Sequence, residues 1–319
     1  MKKIILILIS IVFSFATTIL KPDKLYRYDY YISKIAFNKK LLIIGLENGT
    51  ILINDFKTNK NLDKIILPKI HDFMGELISM PIYSLDISPD KKNIYILAQG
   101  EDAKREMYIY NLKNKKLTHI YETKDTLMKA RYIDNDNIFI ALLSDEVELF
   151  NLKQRKVLYR TQVGSYVFST YAINENKTKA VIGDESGSIK IVEIKTGKKT
   201  AKIKGFNKDK TISLDFVKNY VINGSSDKRV AIYNIINKNE VLTLNANFLP
   251  YASAISPDLK TFAIQFDEKN NIKVFDMNKK SLFLLTGHQM PLIDMKYLSK
   301  NKIISYSPSE IIIWKLKGE

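Results

Sequence analysis

Three histidines, His71, His119 and His288, are the only imidazoles in this 319-residue chain, and it has no cysteine. His71 lies in the stretch Pro68 to Pro81, which also carries Met74 and Met80. An imidazole with two thioethers is a soft ligand set that suits Cu(I). Methionine and phenylalanine in a loop more often pack against a scaffold or a partner. His71, Phe73 and Met74 are therefore read as candidate partner contacts, with no metal assigned. His119 falls in an expected strand and reads as a surface residue. The absent cysteines exclude disulfides, thiolate nucleophiles, iron–sulfur ligation and a lipoprotein anchor.

Hydrolase and phosphate-binding signatures are missing. There is no Gly-x-Ser-x-Gly, no His-Glu-x-x-His and no glycine-rich phosphate loop. Asp184-Glu185-Ser186-Gly187-Ser188 resembles a calcium loop but lacks its repeated acidic spacing, and it reads as a turn. Dispersed carboxylates leave a glycosidase pair unplaced, because that chemistry depends on a specific separation. The expectation is a non-enzymatic protein with no cofactor.

The elements that position these residues follow from a repeat. A six-residue pattern, apolar, any, apolar, large, polar, apolar, begins as Ile51-Leu52-Ile53-Asn54-Asp55-Phe56. Its fourth position recurs at 54, 110, 150, 192, 233, 275 and 314. Five of the six intervals are close to 40 residues, and the first is longer, which places an insertion at 68–81. An apolar strand precedes each copy, and a lysine-rich turn with one more strand follows the first six. Two further turns read Ser88-Pro89-Asp90 and Ser256-Pro257-Asp258, which favour tight reversal. Each unit is thus a four-stranded meander, and the fold expected is an all-β, seven-bladed propeller over 25–317. The seventh unit stops after its third strand, so Leu25 to Tyr30 is expected to supply the missing one and close the ring.

These units resemble WD40 repeats. The large-polar pair stands at the family's Trp-Asp position, as in Tyr110-Asn111 and Trp314-Lys315, and Gly287-His288 resembles its Gly-His dipeptide. The resemblance implies that His288, Ser305 and Trp314 form most of a buried hydrogen-bond chain in the last blade. The usual aspartate is missing there, where Ser307-Pro308-Ser309-Glu310 stands instead. Signal, size and degenerate repeats also resemble the NapL family of accessory proteins encoded with the periplasmic nitrate reductase. That resemblance implies subunits of a nitrate reductase system as partners.

Met1-Lys2-Lys3 followed by an apolar run and Ser14-Phe15-Ala16 has the parts of a secretory signal. Residues 1–16 are read as a signal peptide cleaved after Ala16, which makes the protein periplasmic. The alternative is an uncleaved anchor, because apolar character continues to Leu20, and only then would the chain contact a membrane. The formal charge of +16 reflects either AT-rich coding or attraction to an acidic partner. No nucleic-acid motif is present, and a monomer is expected. In the blade scheme the turns after the third strands share one face. Their basic residues, Lys113, Lys115, Lys116, Lys153, Arg155, Lys156, Lys195, Lys198 and Lys199, are the candidate docking residues. The turns between second and third strands share the other face and read as acidic, with Glu47, Glu101, Asp102, Asp145, Glu146, Asp184, Glu185, Asp227, Asp267, Glu268 and Glu310, interrupted by Lys104, Arg105, Lys228 and Arg229. The function expected is a protein-interaction scaffold; the alternatives are an envelope or outer-membrane assembly factor and a metal-delivery propeller using His71, Met74 and Met80.

Overall fold

The computed structural model describes residues 17–316; the expected signal peptide lies outside them. Seven antiparallel sheets form a seven-bladed β-propeller, consistent with a WD40-like fold. The blades span residues 32–66, 82–123, 127–162, 168–203, 211–245, 253–285 and 294–315, each running outward from the channel in chain order. The ring closes as the sequence implies. Strand β2 (Lys24–Arg27) pairs antiparallel with Glu310–Ile313 and becomes the outermost strand of blade 7. It is shorter than expected, since 28–31 already lead into blade 1.

A second N-terminal strand was not anticipated. Strand β1 (Thr18–Leu20) pairs in parallel with Phe283–Leu285 and gives blade 6 a fifth strand. Leu20 packs on the core between blades 6 and 7. Periodicity could not reveal this, because three residues at the end of an apolar run look like its continuation.

Each sheet is covered on both sides by its neighbours, and this explains the sequence pattern. Second and third strands are buried on both faces and read as unbroken apolar runs, such as Ile138–Leu142. The outermost strand faces solvent and alternates, as in Lys156–Gln162. The buried apolar residues separate into seven clusters, one between each pair of successive blades, including blade 7 against blade 1. Strand-ending glycines permit this contact. A Cβ on Gly183 would lie 2.4 Å from Thr211 Cγ2 of the next blade.

Candidate functional site

The recurring polar residue of the motif has a local role. Asp55 Oδ1 accepts the backbone N–H groups of Lys57 (3.1 Å) and Thr58 (2.8 Å). Asn111 does the same for Lys113 and Asn114, and Asp276 for Asn278 and Lys280. The side chain therefore caps the turn joining the third and fourth strands. Three or four residues on, that turn needs a left-handed residue, at Asn59, Lys115, Arg155, Gly197, Lys238 and Lys279. The turns after the first strands share this face and add left-handed Lys91, Lys177, Lys218 and Leu259.

Left-handed backbone favours glycine and asparagine. On this face seven of the ten left-handed residues are nevertheless lysine or arginine. On the opposite face the described left-handed residues are Gly49, Gly75, Asp102, Ala103, Asp145, Gly187, Lys228 and Asn270, of which one is basic. AT-rich coding acts on both faces alike and supplies asparagine as readily as lysine. The asymmetry therefore separates the faces in a way that coding bias does not.

Lys113, Lys115, Lys116, Lys153, Arg155, Lys156, Lys195 and Lys198 are exposed on or beside these turns. Lys153 pairs with Asp136 at 2.7 Å and Lys115 with Asp63 at 3.5 Å. Lys199 is exposed as well, and its ammonium donates to Val163 O at 2.9 Å.

The opposite face is less acidic than the sequence suggested, beyond the interruptions already expected at Lys104, Arg105, Lys228 and Arg229. Three of its expected carboxylates, Asp145, Asp184 and Glu310, are fully buried. Asp145 and Asp184 flank the equally buried ammonium of Lys190, with Asp145 at 3.4 Å. Burial pulls that ammonium down to about 8, while Asp145 opposes the shift. The connections between blades also reach this face and bring Lys69, Lys124, Lys204, Lys208 and Lys210. The result is a face of mixed sign.

The 68–81 insertion is a hairpin on this mixed face, pairing Lys69–His71 with Leu77–Ser79. His71 Nδ1 lies 2.9 Å from Glu101 Oε1. Phe73 and Met74 project from the tip, 96% and 73% exposed, whereas Met80 is core at 1%. His71, Met74 and Met80 therefore do not converge on a metal. His119 lies in an outer strand as expected, with its Nε2 3.6 Å from Glu106 Oε2. Glu122 joins them, with the ligand atoms all within 4.8 Å of one another.

The buried chain in blade 7 is complete. Trp314 Nε1–H donates to Ser305 Oγ (2.8 Å), and Ser305 Oγ lies 2.7 Å from His288 Nε2. His288 Nδ1 meets Glu310 Oε1 at 3.2 Å. The ionised Glu310 can only accept, so His288 presents Nδ1–H to it, and with the imidazole neutral Nε2 accepts from the Ser305 hydroxyl. Glu310 thus stands where the resemblance to WD40 repeats led one to expect an aspartate. Burial opposes its ionisation, yet hydrogen bonds from His288 and the Gln289 N–H hold its carboxyl down at about 2.

The central channel was not singled out in the sequence. Its inner strands bring together Lys34, Lys129, Arg131 and Lys296 with Asp86, Asp215 and Asp294, around two adjoining cavities of about 350 and 460 Å³. The signal was present as charged residues within otherwise apolar first strands. Asp86 and Asp215 both occur in Ser-Leu-Asp and accept backbone N–H groups of the following blade, from Tyr132 (2.8 Å) and Ile255 (3.0 Å). No protein-family model matches the chain, and comparison with curated proteins finds no match either.

Proposed function

We propose that this chain is a non-catalytic interaction scaffold of the cell envelope that docks an acidic protein on its lysine-rich face. The observation that carries this reading is the concentration of lysine and arginine at left-handed turn positions of that one face. Each such residue holds a conformation that glycine holds more cheaply. A propeller supplies a rigid platform for a ring of charge, and the ring steers a partner of opposite sign. The finer reading is an accessory factor of the periplasmic nitrate reductase system. Its support is the export-type N-terminus, the chain length and the degenerate repeats.

The test reverses Lys113, Lys115, Lys116, Lys153, Arg155 and Lys156 to glutamate. Retention of partners from periplasmic extract is then compared at low and high salt. Surface charges are screened over about 8 Å at physiological ionic strength, so wild-type retention falls as salt rises. Placing like charges across the contact costs several kcal/mol, and the reversed protein retains nothing at either salt. Retention that survives the reversal overturns the reading. Nitrate reductase subunits in the eluate support the finer assignment, and outer-membrane proteins in their place overturn it.

A further inference from the structure

We propose that the channel cavity opening toward the lysine-rich face is a binding site for a small oxyanion, a carboxylate or a phosphate, held by Lys129 and Arg131. This site is independent of protein docking on the rim.

Several of the channel charges are already used. Asp86 is taken by Arg131 at 3.2 Å and by the N–H groups of Ile87 and Tyr132. Asp215 is taken by Lys296 and by the N–H groups of Phe216 and Ile255. Both aspartates therefore tie one blade to the next and have little capacity left. Two cations remain, Lys34 and Lys129, against one carboxylate, Asp294, which also accepts the Met295 N–H at 2.8 Å. Around the cavity of about 350 Å³, Lys129, Arg131, Lys177 and Lys296 face Asp86, Glu175 and Asp294, one more cation than carboxylate when all are ionised. A partly desolvated excess cation favours an anion beside it.

Geometry places that anion. Lys129, Arg131 and Asp294 line both cavities and form the belt between them. The cavity of about 350 Å³ extends from this belt to Asn174, Glu175 and Lys177, residues of a turn on the lysine-rich face. Lys129 Nζ donates to Thr170 Oγ1 (3.0 Å) and Tyr171 O (2.8 Å), which fix its direction and leave a third donor. Arg131 uses Nη1 on Leu85 O and Asp86, while its Nε and Nη2 have no acceptor among the described residues. A planar guanidinium edge beside an ammonium matches an oxyanion better than a spherical halide. Lys129 also makes the site sensitive to pH. Burial pulls its ammonium down to about 7, Arg131, Lys296 and Lys34 add to the shift, and Asp294 opposes it.

The experiment follows thermal unfolding of the wild-type protein with inorganic phosphate, with acetate, and with sodium chloride at matched ionic strength. Lys129→Met and Lys34→Met are measured in parallel. Phosphate or acetate is expected to raise the wild-type midpoint above the chloride control, and Lys129→Met to abolish the increment. The stronger of the two probes identifies the ligand as phosphorylated or carboxylic. Acetate keeps its charge between pH 6 and pH 8, while burial makes Lys129 lose its charge at a lower pH than an ordinary lysine. The apparent acetate affinity is therefore expected to weaken as pH rises through that range. If neither anion exceeds chloride, or if Lys129→Met responds as wild type does, there is no site. Should Lys129→Met fail to fold, Lys129→Gln is measured in its place: an anion increment equal to that of wild type refutes the role of Lys129.

Discussion

Replacing Lys115, Arg155, Lys238 and Lys279 together by glycine should stabilise the fold. All four are left-handed, with φ between 52° and 66°. An L-residue gives up about 1–2 kcal/mol in that conformation, and glycine loses roughly 0.5–1 kcal/mol more backbone entropy on folding. The net gain is about 0.5–1 kcal/mol per site. The sites lie in four different blades, so the gains add to about 2–4 kcal/mol. With an unfolding entropy of about 2.1 cal/mol/K per residue, a propeller of this size gains about 3–6 °C in Tm. The control replaces Lys57, Lys113, Lys156 and Lys198 by glutamine, which removes four charges from the same face without touching a left-handed residue. Calorimetric unfolding of both variants separates backbone strain from charge repulsion. If the glycine set is no more stable than the glutamine set, the left-handed lysines carry no strain and the argument from their placement fails. If the strain is real, the glycine set is more stable and binds its partner less well, because stability is traded for charge on the docking face.

Other expectations concern buried groups and the chain start. Glu310→Gln weakens the hydrogen-bond chain to His288 and costs about 1.5–3 kcal/mol, read by denaturant unfolding at neutral pH. Glu310 is held at about 2 when folded, against an ordinary 4.5. Its contribution is therefore complete above pH 4.5 and lost as pH falls toward 2, and Glu310→Gln flattens stability over that window. Lys190→Met strands Asp145 and Asp184 in the interior and costs about 3–5 kcal/mol by the same measurement. For Lys129, near 7 when folded and 10.5 when unfolded, the burial penalty is complete below pH 7 and fades as pH rises to 10.5. In anion-free buffer the stability of wild type relative to Lys129→Met therefore improves from pH 7 to pH 10, as urea titrations at each pH will report. Intact mass of exported protein is expected to begin at Thr17, whose Oγ1 hydrogen-bonds Ser281 Oγ at 2.9 Å. A mass that includes Met1 to Ala16 contradicts cleavage there.

Much of the architecture was legible because the blade repeat writes itself into burial. The third strand of each blade is largely buried, and in blades 1, 2, 3, 5 and 6 its polar residue caps the turn that follows, so pattern and polar residue recur together. Closure by β2 followed from the strand missing after Leu316. Strand β1 was hidden, since Thr18–Leu20 reads equally well as the tail of an apolar leader. The charged faces were half legible. Turn lysines are local and can be placed from the repeat, but burial of Asp145, Asp184 and Glu310 depends on contacts distant in sequence. The connections between blades vary in length and composition, so their lysines escaped the repeat. The channel was missed for a related reason. Lys34 sits in one first strand, Lys129 and Arg131 in another and Lys296 in a third, and only ring closure brings the three strands together.

Docking of partners on the lysine-rich face can be mapped in the cell. An amine-reactive crosslinker applied to intact cells, followed by mapping of linked lysines, tests it most directly, because both faces carry exposed lysines and one serves as control for the other. Links from Lys57, Lys113, Lys156 and Lys198 to another protein, with Lys69, Lys124, Lys204 and Lys208 unlinked, are the predicted result. Links confined to the second set would place docking on the mixed face beside the Phe73–Met74 hairpin tip and contradict the account.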